Sequence, residues 1–171
     1  DILTALQTML EFYTDPLLQV QALLKIIGEY GYSEELRQIT NSQTTYSTVR
    51  FYSLVLIGQC VGNITFISST DSKMIVTQLN NIFEAEYEYQ TDMEIFDYLS
   101  ELQAQTCSYV LSQGFGLPQL IEYSPKTTLP ACVIAQNLYQ DGSRSDEIIQ
   151  RNNSDVRHPL FMPLTLEVLS S

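Results

Sequence analysis

The sequence predicts a mainly α protein, a helical domain over residues 1–117 followed by a small α/β unit over 118–171. Three observations predict it. Apolar residues recur every three or four positions through most of the first two-thirds of the chain. Asp, Pro and Gly stand where such stripes begin and end. After Pro118 the pattern changes, and it closes on the alternating stretch Leu166, Glu167, Val168, Leu169.

The elements follow in order. Leu3, Leu6, Leu10 and Tyr13 form the first helical stripe. Asp15 before Pro16 is an N-cap followed by a proline at the first helical position, so a second helix starts there. Its stripe is Leu17, Val20, Leu24 and Ile27, and Gly28 and Gly31 mark its end. Ser33 caps a short third segment through Leu36 and Ile39, and the polar run 40–47 is expected to be a loop. Val49, Tyr52, Leu56, Cys60 and Ile64 then recur at helical spacing. Phe51, Leu54, Val55 and Ile57 make the same segment apolar on most sides, which fits a central helix and leaves a buried strand as the alternative. Asp71 is expected to cap a helix burying Ile75, Leu79, Ile82 and Phe83, and Asp92 to cap another carrying Ile95, Phe96, Leu99, Leu102, Val110 and Leu111. Gly114 and Gly116, before Pro118, end it. Beyond them the expected order is strand (120–123), helix (129–139), a turn at Asp141 and Gly142, a short helix (146–150) and the closing strand, paired to the region of Ile121.

Composition narrows the function. With 20 acidic and 8 basic residues the net charge is -12, which repels a nucleic-acid backbone, and the basic residues are scattered. The longest apolar run falls far short of the roughly 20 residues that span a bilayer, and no signal-peptide pattern opens the chain. Asp1 in place of Met leads to the expectation of an ordered fragment of a longer polypeptide. Cys60, Cys107 and Cys132 have none of the spacings of zinc or redox sites, and buried free thiols in a reducing compartment are expected.

The most specific stretch lies near the end. Leu129-Pro130-Ala131-Cys132-Val133-Ile134-Ala135-Gln136-Asn137-Leu138-Tyr139 is followed by Arg144, Asp146, Glu147, Ile148, Arg151 and Asn152, then His158-Pro159-Leu160-Phe161 and Leu166-Glu167-Val168-Leu169. In this ordered combination the last 50 or so residues resemble the C-terminal region of Mu-like bacteriophage tail and DNA-circularisation proteins. More loosely, the segment is similar to a LysM module, with Ile134, Ala135 and Tyr139 on its first helix, Ile148 and Asn152 on its second, and Leu166 and Val168 on its last strand. The Gly-Asp-Thr entrance of that module is replaced by Pro125-Lys126-Thr127-Thr128, and Leu164 stands where a glycine usually precedes the closing strand. Those changes put carbohydrate binding in doubt.

The resemblance implies a non-enzymatic tail or baseplate adaptor, present in several copies, assembled in the host cytoplasm and carried in the virion. Its partners are then other tail proteins such as hub, tube, tape measure or wedge, with no cofactor, no sequence-specific nucleic-acid binding and no membrane insertion. The rival expectation is a peptidoglycan-binding module of a cell-wall-associated enzyme. Direct DNA joining is disfavoured by the acidic charge. The residues Ala135, Leu138, Tyr139, Arg151, Asn152, His158, Pro159 and Phe161 are expected to serve the fold of this unit more than partner contact. Ala135 lets helix and strand approach, Leu138 and Tyr139 cover the core edge, and Asn152 either tolerates a left-handed helix end or bonds nearby backbone.

Catalytic constellations are hard to build from the rest. His158 is the only histidine, it precedes proline in an extended stretch, and a structural role is expected. Gly114-Phe115-Gly116-Leu117-Pro118 cannot cradle a phosphate, because its proline blocks the required helix start. Between Lys73 and Lys126, however, Glu84, Glu86, Glu88, Asp92, Glu94, Asp97, Glu101 and Glu122 occur with no basic residue among them, interleaved with Tyr87, Tyr89 and Tyr98. The bland expectation is a solvated face. The functional one is an assembly surface for a basic partner, or the lining of a DNA passage, in which case replacing Glu86, Glu88 and Glu94 by Gln weakens assembly or DNA delivery.

Overall fold

A computed structural model describes residues 1–32 and 44–170. It is mainly helical, with a small two-stranded antiparallel sheet near the C-terminus. The chain divides into two compact units, one of residues 1–66 and 71–115, the other of residues 67–70 and 116–171.

The first unit is helical. Helix α1 (Ile2–Leu10) starts at Asp1, whose carboxylate accepts from the Thr4 amide at 2.9 Å. Helix α2 (Pro16–Ile27) starts as the Asp-Pro pair dictates, with Asp15 accepting from Leu17 N–H at 2.9 Å. The Gln19 side chain donates back to the Leu10 and Tyr13 carbonyls, tying α2 to the end of α1 and the turn after it. At Gly28 the chain does not stop. It widens into a π-helical turn, Gly28–Tyr32. The segment expected from Ser33 through Leu36 and Ile39 lies outside the described residues.

Helix α3 (Thr44–Val61) begins inside the polar run, so the end of the expected loop is helical. An apolar run of this length is too long for an ordinary strand, and the helix wins over the strand alternative. It is the central element, packing on α1, α2 and α5, and it buries Val49, Leu54, Leu56, Ile57, Cys60 and Val61. Gly58 allows close approach to α5, since a Cβ there would sit 2.9 Å from Leu102 Cδ1. Helix α4 (Ser69–Tyr87) starts earlier than expected, so Asp71 lies in its first turn instead of capping it. There its charge complements the helix dipole. Helix α5 (Met93–Gly114) is capped by Asp92 at 2.9 Å from Glu94 N–H. Gly116 follows it at φ 81°, a conformation that favours glycine. Ile75, Leu79, Phe83, Leu99 and Val110 complete the core with residues of α1 to α3, whereas Leu111 is exposed.

The second unit runs in the expected order. Strand β1 (Leu120–Tyr123) is followed by α6 (Ala131–Tyr139), a 3₁₀ turn (Gly142–Arg144), α7 (Ser145–Arg151) and β2 (Leu166–Leu169). The strands pair antiparallel, Leu120 with Leu169, Ile121 with Val168, Glu122 with Glu167 and Tyr123 with Leu166. A separate small core of Ala131, Ile134, Ala135, Ile148, Met162, Leu166 and Val168 lies beneath.

Candidate interaction surfaces

In the second unit the motif residues are its joints. Ala135 is fully buried, and Leu138 and Tyr139 cover the core edge. Asn152 ends α7 with φ -103°, so it bonds backbone and does not adopt the left-handed conformation, which falls to Gln140 at φ 58°. Its side-chain amide donates to the Glu167 carbonyl at 2.8 Å and to the Ile148 carbonyl at 2.9 Å, while its oxygen accepts from Glu167 N–H at 2.8 Å. One side chain thus holds α7 to β2. The Tyr139 hydroxyl accepts from Leu169 N–H at 3.0 Å, and burial, only partly offset by that hydrogen bond, pushes its pKa up. The guanidinium of Arg144 lies 3.8 Å from the Tyr139 ring centroid and is paired with Glu147 through two nitrogens.

The His158-Pro159 segment holds the start of α6. Pro130 offers that helix no side-chain cap, and the Pro159 carbonyl instead accepts from Ala131 N–H at 2.9 Å. The Leu129 carbonyl in turn accepts from Met162 N–H at 3.2 Å. His158 is exposed, and its Nδ1 accepts from Leu160 N–H at 3.2 Å. Arg151 is half-buried in the last turn of α7, where a cation complements the helix dipole. Phe161 is 69% exposed, and Leu160 and Leu164 are exposed too, while Met162 is buried in the core.

The acidic stretch does not lie on one face. Glu84, Glu88, Asp92, Glu94, Asp97 and Glu101 are exposed, but Glu86 is fully buried and ion-paired with Arg50, Nε to Oε2 at 2.8 Å. Gln90 donates to the other Glu86 oxygen at 3.0 Å, and Arg50 Nη1 donates to the Tyr30 carbonyl at 3.0 Å. Glu86 therefore leaves the proposed partner face. The cause is its spacing, since Ile75, Leu79, Ile82, Phe83 and Glu86 continue one helical stripe. Arg50 was not among the expected residues, although its position between Val49 and Leu54 on an apolar helix calls for a buried partner.

Of the interleaved tyrosines, Tyr98 is exposed and Tyr87 and Tyr89 are half-buried. The Tyr87 hydroxyl donates to Gln103, which donates to Asn80, and burial raises its pKa. Beside the Arg50–Glu86 pair runs an open groove of about 440 Å³ lined by Thr48, Arg50, Tyr52, Tyr89, Asp92 and Ile95. Its cation is already committed to Glu86. Among the described residues no three His, Cys, Asp or Glu side chains converge to hold a metal ion, and no helix is long and apolar enough to cross a membrane. The cysteines differ from expectation in one respect: Cys60 is buried and Cys107 half-buried, but Cys132 is exposed.

No family model matches the chain, and no curated protein matches it.

Proposed function

We propose that this chain is a structural, non-enzymatic component of a bacteriophage tail, an adaptor working through protein contacts in the baseplate region. The observation that carries the reading is the coincidence of the Mu-like sequence pattern with a small unit of its own core, in which Tyr139, Asn152 and Pro159 serve as joints. Side chains that hold backbone in place give the unit the rigidity that an adaptor needs. The exposed carboxylates Glu84, Glu94, Asp97 and Glu101 on α4 and α5 add acidic groups suited to a basic partner or to a passage for DNA.

Replacing Glu84, Glu94 and Asp97 by their amides tests that surface without touching the buried pair. Weaker assembly, most visible at low salt, is expected for a basic partner, and intact assembly with poorer DNA delivery for a passage. Normal assembly and normal infectivity would leave only a solvated face. The strand-helix-helix-strand order also favours a second reading, a peptidoglycan-binding module. A pull-down on insoluble cell wall separates the two. No retention is expected of the adaptor, whereas retention that soluble fragments reverse would establish the module.

A further inference from the structure

The two edges of the β1–β2 sheet are treated differently. In an antiparallel pair, alternate residues point their backbone N–H and C=O toward the partner strand or away from it. Glu167 and Leu169 bond Asn152 and Tyr139, so they point outward from β2; side chains close both backbone groups of Glu167 and the N–H of Leu169. Their partners across the ladder, Glu122 and Leu120, must therefore point outward from β1. Leu120 N–H is taken by Thr70 Oγ1 at 3.0 Å. Glu122 N–H and C=O meet no protein donor or acceptor among the described residues.

The same position carries an electrostatic mismatch. Glu122 and Glu167 stand directly opposite each other, exposed and on the same face, in the pair type whose Cα atoms approach to about 4.5 Å. Neither carboxylate forms an ion pair among the described residues. Like charges so placed destabilise a sheet. Ile121, next along the strand, is 42% exposed.

We propose that the free edge of β1 is a docking site for an extended segment of a partner protein bearing lysine or arginine, added as a third strand with its cation beside Glu122 and Glu167. Main-chain hydrogen bonds to Glu122 supply the register and the two carboxylates supply the charge preference. A second copy of this chain is the poorer occupant, because two-fold pairing centred on Glu122 brings two more carboxylates together. The edge could serve any assembly, so its test is independent of the tail reading.

The test uses the full chain and a capped synthetic peptide, Thr-Lys-Val-Lys-Val-Thr, at up to millimolar concentration, followed by amide NMR and hydrogen exchange. Controls are the same peptide with Glu for Lys and one N-methylated along its bonding edge. The lysine peptide is expected to slow exchange of the Glu122 amide and to shift residues 120–124, and the controls are not. In Glu122→Pro the lost N–H is the outward one, so the β1–β2 ladder survives while binding disappears. Should that variant not fold, Glu122→Lys keeps the backbone and is expected to weaken the lysine peptide about fivefold. Equal binding of the lysine and glutamate peptides, or no protection of Glu122 N–H, would overturn the proposal. So would concentration-dependent protection of Glu122 without peptide, which would assign the edge to self-association.

Discussion

Breaking the Arg50–Glu86 pair should unfold the helical unit more readily than any single surface change. The side chains are 2% and 0% exposed and meet at 2.8 Å, so both charges are out of water and the ion pair is part of what replaces it. Removing one partner leaves the other charge buried without its ion pair, a loss of about 3–5 kcal/mol. At about 2–4 °C per kcal/mol for a chain of this size, Glu86→Leu and Arg50→Met should each lower Tm by roughly 6–20 °C. The double variant leaves no buried charge, and an apolar replacement of a buried pair is often neutral or better. It should therefore lie well above the sum of the singles, with a coupling of about 2 kcal/mol or more. Urea unfolding followed by circular dichroism at 222 nm reads all four corners of the cycle. Glu84→Gln, on the exposed side of α4, is the control and should change stability by less than about 0.5 kcal/mol. If Glu86→Leu unfolds like the wild type, or the two losses simply add, the pair does not anchor this unit.

Further outcomes follow from other contacts. Asn152→Ala strips both Glu167 backbone groups of their partner and should cost the second unit about 2–3 kcal/mol, read as faster exchange of the Glu167 and Val168 amides. Tyr139 and Tyr87, and the thiols of Cys60 and Cys107, all have pKa values raised by burial. Each such group contributes stability that is complete below its unfolded pKa and is lost as pH rises through the higher folded one. Urea midpoints should therefore hold as the pH rises to the start of the ordinary thiol range, near pH 8, and fall progressively through the thiol and then the phenol range; a flat profile there would contradict the burial of these groups. Native protein should react with a thiol reagent first at exposed Cys132, more slowly at half-buried Cys107 and last at buried Cys60. Equal rates at all three would place the thiols differently.

Much of the fold was legible because its punctuation is local. Asp15-Pro16 and Asp92 start helices through hydrogen bonds within a few residues, and the end of α5 follows from Gly114 and Gly116. The β1–β2 pairing was legible too, since two short apolar strands flanking two helices have few other partners. What escaped depends on distant groups. The start of α4 at Ser69 overrides the capping preference of Asp71, and the widening at Gly28 is a departure that no periodicity announces. Glu86 departs from the expected acidic face because its phase on the helix, in line with Leu79 and Phe83, outweighs its charge. The closure of the β2 edge by Asn152 and Tyr139 is a tertiary contact, and the sequence could only mark the two residues as belonging to one pattern.

The proposed adaptor role is tested most directly by the density of an intact tail tip, from particles of any phage or prophage whose genome is found to carry this sequence. The tail reading predicts both units as repeated features in the baseplate region, with the exposed carboxylates of α4 and α5 against a basic neighbour or the lumen. Particles that assemble and infect without the chain, or a tip whose density contains neither unit, would contradict it.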